Sequence, residues 1–494
     1  MALSAGGQRT ERYFLGLDAG QTFTKAVLFT EEGRQVARGA ASVATSSPRA
    51  SWQERDPHEL WRAAAAAIRE CLVQAGVVGA QVAGVGLCGH NDGAYLVDDD
   101  GEPTRAAILA TDARAVAEAA ELGEGARGEE ALAETGQVPA PYSPSSLLSW
   151  LGRNEPETLE RSRWYLFCKD WLRLKLTGEV ATDPSEASAS FTNLHDQRWS
   201  DEALRIYDLQ HHRRLLPPLV PSSAVAGHVT RAAAEETGLA EGTPVVTGAH
   251  DVDAAALGIG AIEVGSLSLV MGTFSINQLV WDRPVSDPRW QARTFLEPGR
   301  WLHMSTSPSS ASNFEWAMRN WGGGADYPEV IESARLLDPQ AYRDAPHFLP
   351  YLYGAPLGHG ADGARLSGLR GSHDRHDVFR AVLEGVVHQH RWHVDALRSA
   401  FSFSGAARLC GGGAKSEPWT QLLSDVLGVP VEVTDSTEAG ARGAALLAAI
   451  GVGAYSGLRE AVATAVTVVR RHEPQHHWGS VLEERYQEFL GLLG

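Results

Sequence analysis

Three glycine-containing turns follow apolar runs in the chain: Asp18-Ala19-Gly20-Gln21-Thr22, Met271-Gly272-Thr273 and Gly411-Gly412-Gly413-Ala414-Lys415. Turns of this kind present converging backbone N–H groups, so anion and phosphate binding is the chemistry they suggest. Asp18 closes an apolar strand, where an unpaired carboxylate is costly; a magnesium ion or its waters is a sensible partner, and capping of the turn is the plainer role. Thr22 and Thr273 offer hydroxyls to phosphate oxygens, and Lys25 adds charge. Taken singly, each loop is equally a tight turn that needs glycine. The pattern GxxxxGK[ST] is absent, and Ser416 stands where a dinucleotide fingerprint wants its third glycine, although Glu432 lies near the expected acidic position. Asp251 sits between an apolar run and a helix-compatible stretch, a position that by itself describes an ordinary N-cap.

The elements that position these residues alternate in type. Tyr13 to Leu17 and Lys25 to Thr30 read as strands around the first turn, with a third strand after Glu31-Glu32-Gly33. Asp56-Pro57-His58-Glu59 predicts a capped helix running to Cys71, and Val82 to Leu87 is the next strand. Asp98-Asp99-Asp100-Gly101 lacks the remaining ligands of a calcium loop and reads as a turn between Ala94 to Val97 and Ala106 to Leu109. The turn-rich Glu241-Gly242-Thr243-Pro244 precedes strand Val245 to Thr247 and sets the expected boundary between domains 1–243 and 244–494. Ser266 to Met271 and Ile276 to Val280 repeat the strand, Gly/Thr turn, strand layout of the N-terminus. A helix from Asp377 to Leu397, strands at Ala407 to Cys410 and Val429 to Val433, and helices from Trp419 and Glu438 complete an α/β pattern with mixed sheets.

Composition narrows the classes. The 494 residues are too many for one ordinary core, and the formal charge of -18 repels nucleic acid and anionic membrane. Four cysteines without a CxxC pair suggest neither a disulfide framework nor a zinc site, so a reducing cytoplasm is the expected setting. No leader pattern or apolar run of about 18 residues is seen, so no membrane span is expected. His388, His390 and His393 lack the HExxH spacing of a metal site, and no GxSxG elbow is present.

Together these pieces resemble the FGGY carbohydrate kinases from about residue 13 to about residue 453. The resemblance rests on YSPSSLLSWLGRN (Tyr142 to Asn154, with Leu147 where lysine is usual), ARLSGLRGSHDRHDVFRAVLEG (Ala364 to Gly385) and above all LCGGGAKSEPWTQLLSDVLGVPVEV (Leu409 to Val433). It implies two ribonuclease H-like, actin-like ATPase domains of mixed sheets and helices facing each other across a cleft, and an ATP- and Mg²⁺-dependent phosphotransferase with a sugar alcohol group as acceptor. Domain closure would complete the ATP site. By resemblance, Asp251 in Thr247-Gly248-Ala249-His250-Asp251 is the general base; Asp18, Gly20, Gln21, Thr22, Lys25, Gly272 and Thr273 face the phosphates and metal; Gly412, Gly413, Lys415, Ser416 and Glu417 face adenosine.

Sugar contacts are expected from Gly89-His90-Asn91-Asp92-Gly93, from Asp112-Ala113-Arg114 and from Tyr142. Ala110 replaces the tryptophan usual in xylulose and glycerol kinases, and ILATDARA with HDV is closer to L-xylulose and 3-keto-L-gulonate kinases. A ketopentose or related sugar acid is therefore the expected substrate, with Arg114 or His90 as the cation an acid needs. A polyol is the alternative. A non-catalytic regulator is a further one, against which the retained Asp251 argues. Relatives of this kind are commonly dimers, so a homodimer is an expectation of the resemblance alone.

Overall fold

Strand Tyr13–Ala19, buried over nearly its whole length, pairs antiparallel with Phe23–Thr30, which pairs antiparallel with Gln35–Ser42. On its other side it pairs in parallel with Val82–Gly89, and the sheet continues through Pro244–Val246 to Val225–His228. Ala249–His250 adds a short branch on Val82–Gly89. Helix Pro57–Ala75 crosses this sheet as its start signal predicts: Asp56 accepts the His58 N–H at 2.9 Å, and Gly76 at φ 64° closes it. The computed structural model describes residues 12–333, 342–356 and 363–493, so the N-terminal stretch in which no leader was read lies largely outside the described residues. Among the described residues no helix is long and apolar enough to cross a membrane.

The second sheet repeats the plan. Leu267–Met271 and Ser275–Trp281 form an antiparallel hairpin, Trp301–Ser307 extends it, and Ala407–Cys410 pairs in parallel with Leu267–Met271. Val431–Thr434 follows in parallel, and Val468–His472 forms the far edge. Helix Arg375–Arg398 packs against the hairpin through an apolar stripe that includes Phe379, Val382, Val386 and Val394. His390 on this helix is buried at 2.7 Å from Asn277 Oδ1, a partner that accounts for it within the core.

The chain divides into two compact units, but not at 243/244. The first comprises residues 1–260, 293–300 and 438–466, and the second comprises 261–292, 301–437 and 467–494. The expected boundary is corrected because Pro244–Val246 completes the first sheet and helix Asp251–Gly258 packs on Ala439–Gly451. Asp251 thus belongs to the first unit. Glycines permit the close approach of that late helix: a Cβ on Gly16 or Gly86 would overlap the carbonyl oxygens of Ala441 and Ala444.

Candidate active site

In the first unit the turn after Tyr13–Ala19 is closed by the Gly20 N–H on Phe23 O at 3.0 Å, which leaves Thr22 exposed. Beneath it lies Arg55, 1% exposed, whose guanidinium donates to the carbonyls of Gln21 and Gly20. Sequence reasoning passed over Arg55, since nothing in the two-residue strand Glu54–Arg55 marks it. Asp18 lies at the start of helix Ala439–Gly451, where a Cβ on Gly440 would stand 3.1 Å from Oδ2. Burial first, and then the charge of Asp251, pushes the Asp18 carboxyl up to about 6, with Lys25 opposing. Lys25 itself donates to Glu438 at 2.9 Å. Among the described residues no three His, Cys, Asp or Glu side chains form a metal cage, so Asp18 offers a single carboxylate.

Strand Val82–Gly89 delivers the loop His90-Asn91-Asp92-Gly93. Asp92 takes the left-handed conformation at φ 60°, and its N–H donates to Asn91 Oδ1 at 2.6 Å. Asn91 Nδ2 donates to the Glu186 carboxylate and, at 3.3 Å, to its carbonyl. Burial pushes His90 down to about 4, with the Arg55 charge adding, so the imidazole is neutral near pH 7. Tyr142 is pushed up to about 12 by burial and then by Asp92, with Arg293 opposing.

Glu186 and Arg293 are the residues here that sequence reasoning missed. Glu186 is fully buried beside the Lys169–Asp183 ion pair of 3.0 Å, and burial raises its carboxyl well above the usual range. Arg293, on strand Gln291–Thr294, donates to Asn91 Oδ1 at 2.8 Å and to Asp92 Oδ2 at 3.3 Å.

Asp112 and Arg114 are largely occupied with each other. Arg114 Nε and Nη2 both meet Asp112 at 2.9 Å, Nη2 reaches Glu54 at 2.8 Å, and the guanidinium lies over Trp52 at 4.1 Å. Asp112 Oδ2 also accepts the Gln53 N–H at 2.6 Å. The expectation that Arg114 or His90 supplies a free cation is therefore corrected: Arg114 is neutralised by two carboxylates, and His90 is uncharged.

Asp251 is the first residue of helix Asp251–Gly258. His250 holds the N-cap position and no side chain caps this terminus, so the capping alternative for Asp251 is not what is found. Its side chain is 36% exposed, and Oδ1 lies 3.1 Å from His250 Nε2. His250 Nδ1 in turn lies 3.1 Å from Asp253 Oδ2, on a fully buried carboxylate. Burial works against charge on His250, but hydrogen bonds to Asp251 and Asp253 outweigh it and the ring is raised to about 10. A charged imidazolium thus bridges two carboxylates, one buried and one accessible.

In the second unit the Gly272 N–H bonds to Phe274 O at 3.3 Å, Thr273 is exposed, and the Thr273 carbonyl accepts the Ser310 N–H at 3.0 Å. A cavity of about 690 Å³ is walled by Phe314, Tyr327 and Trp419, with Gly412, Gly413 and Lys415 along another side. Ser416 and Glu417 also line it, while Ser416 Oγ accepts the Trp419 N–H at 3.3 Å as N-cap of helix Glu417–Leu427. Gly413 is closed against the Met271 side chain, whereas the space at Gly412 is open. Aromatic side chains and bare glycine backbone lining one cavity suit a flat base and ribose.

Two sheets of one plan, each with a strand, Gly/Thr turn, strand hairpin and a loop at the end of its parallel neighbour, define an ATPase fold of the actin-like kind. The chain belongs to the FGGY family of carbohydrate kinases, whose N-terminal domain matches residues 13–258 and whose C-terminal domain matches residues 267–452. It is 33% identical over 492 residues to the L-xylulose/3-keto-L-gulonate kinase of Escherichia coli (strain K12), covering 98% of this chain and 97% of that protein. It is 32% identical to the xylulose kinase of the same organism over 88% of this chain and 90% of that one. The crystal structure of xylulose kinase from Rhodospirillum rubrum superposes with a TM-score of 0.87 at 29% identity, covering 97% of this chain and 98% of that one. The protein is thus an ATP-dependent sugar kinase that transfers a phosphoryl group to a sugar hydroxyl.

Proposed function

We propose that the acceptor is a neutral ketopentose held in the first unit by the His90–Asp92 loop, with Asp251 as general base. The observation that carries the choice is the state of the cations around that loop. Arg114 is paired with Asp112 and Glu54, Arg293 with Asp92, and His90 is neutral. A carboxylate on the substrate would meet no free positive charge among these residues, whereas hydroxyls would meet mixed donors and acceptors. Ketopentoses stand in the names of the relatives, xylulose and L-xylulose kinases, one of which names 3-keto-L-gulonate, a sugar acid, beside L-xylulose.

Asp251 would take the proton of the attacking hydroxyl, a role worth about 10²- to 10⁴-fold. His250 holds one oxygen of that carboxylate in place. The exposed Thr22 and Thr273 and the N–H groups of their turns are suited to phosphate oxygens. The Asp18 carboxyl, desolvated and beside other acids, would hold Mg²⁺ directly or through its waters. Bound there, the ion would neutralise charge on the β- and γ-phosphates. The aromatic cavity of the second unit would hold the adenosine. Four buried free thiols suit a cytoplasmic setting.

ADP release measured over pentuloses, hexuloses, polyols and sugar acids tests the reading. A ketopentose should show the highest kcat/KM, by about tenfold or more. A sugar acid or polyol in first place would overturn it.

A further inference from the structure

We propose that Arg293 and Asp92 act as one neutral donor–acceptor couple that reads two neighbouring oxygens of the sugar, and that Asp92, by masking the guanidinium, sets the preference for neutral ketoses over sugar acids. This rests on the sugar-binding role given above to the His90–Asp92 loop.

Both residues are buried, the Arg293 side chain at 2% exposure and that of Asp92 at 11%. Their direct contact, Nη2 to Oδ2 at 3.3 Å, is longer than the roughly 2.7–2.9 Å of a tight charge-assisted bond. The pair is therefore not the closed fork that guanidinium and carboxylate form when they serve only each other. Arg293 Nε and Asp92 Oδ1 are buried and have no hydrogen-bond partner among the described residues. Burial of an unmatched donor beside an unmatched acceptor is costly, and the couple pays that cost in the free protein. A sugar removes it: Nε–H donates to a carbonyl or hydroxyl oxygen, and Oδ1 accepts from a hydroxyl.

The surroundings extend this reading. Asn91 Oδ1 accepts from Arg293 Nη1 at 2.8 Å and fixes the plane of the guanidinium. Glu186, bonded to Asn91, keeps Oε1 without a hydrogen-bond partner among the described residues, and burial raises its carboxyl well above the usual range. The cluster thus brings donors and acceptors together, and its Arg293 cation carries the counter-charge of Asp92. A substrate carboxylate would compete with Asp92 for Arg293 and bring a second negative charge beside it. Asp92, not the absence of a cation, is then what excludes acids.

The test uses wild type, Asp92→Asn and Arg293→Lys with three substrates: the ketopentose that wild type uses best, its deoxy analogues, and a keto acid carrying a carboxylate in place of a terminal hydroxymethyl group. In wild type, the analogue lacking the contacted hydroxyl should lose on the order of 10- to 100-fold in kcat/KM. Arg293→Lys keeps the charge but not the planar fork; it should raise KM for the ketose about tenfold, with kcat changed far less, and flatten the deoxy discrimination. Asp92→Asn unmasks the guanidinium and should shift the acid-to-ketose ratio of kcat/KM by about tenfold or more in favour of the acid. An unchanged ratio in Asp92→Asn overturns the masking role, and unchanged KM and deoxy discrimination in Arg293→Lys overturn the couple. Asp92→Asn is close to isosteric, so it decides the matter should Arg293→Lys melt early. Wild type alone judges the ketopentose reading, which keeps the two failures distinct.

Discussion

The carboxylate of Asp251 is accessible, uncapped and bonded through one oxygen to a charged histidine. At this position Asp251→Asn keeps the shape and loses the base. Turnover of the best sugar should fall about 10²- to 10⁴-fold while its KM stays within a few-fold, measured by ADP release. Retention of turnover would remove Asp251 from the mechanism. In the sequence its position alone describes an N-cap, and the segment Thr247 to Asp251 marks it as a base only through the resemblance to the FGGY kinases. Arg293, Glu186 and Arg55 were not legible there. Arg293 stands between Ala292 and Thr294, both buried, and only a lone cation inside such a stretch marks it. Its partners are about 200 residues away in sequence, and no local pattern encodes a hydrogen bond to Asn91 over that separation.

Strands and helices were easier to read than their packing, because periodicity and caps are local while close approach is not. The hairpins around Gly20 and Gly272, the helix begun at Asp56 and the strand before Gly411 all stand near where the pattern put them. What the pattern did not reveal is that helix Ala439–Gly451 lies on strands Tyr13–Ala19 and Val82–Gly89. Its seat is made by glycine. A Cβ on Gly86 would overlap the backbone carbonyl of Ala444, which no rotamer change relieves, whereas one on Gly84 meets two side-chain methyls at 3.4 and 3.5 Å and the Ala448 carbonyl oxygen at 3.6 Å, all ordinary contacts. Gly86→Ala should therefore destabilise by about 1–3 kcal/mol, and Gly84→Ala should be close to neutral. Thermal melts of the two variants compare them within one strand. Because Gly440 on the same helix adjoins Asp18, Gly86→Ala should also lose turnover. Equal melting of the pair would show that the helix yields at no cost.

At the scale of the whole chain, the first unit is assembled from three stretches and the second from three others, so halves of the sequence are not units of the fold. The boundary drawn at 243/244 failed for that reason: a turn-rich stretch marks a local break, but membership of a unit depends on which sheet a later strand joins. Each unit carries its own ligand chemistry in this reading, the sugar loop and base in one and the aromatic cavity in the other. Ligand protection should divide in the same way. A ligand at 100 times its Kd stabilises the state it binds by about 2.7 kcal/mol, roughly a hundredfold slowing of amide exchange that depends on that state. ADP alone should slow exchange in Gly411 to Trp419 and around Tyr327, and the ketopentose alone should slow it in Gly89 to Gly93 and in helix Asp251–Gly258. Exchange followed by mass spectrometry with each ligand separately reads both segments at once. Should ADP protect the His90–Gly93 loop as strongly as Gly411 to Trp419, the allocation of sugar and adenosine to different units would be wrong, and the aromatic cavity would lose its claim to the base.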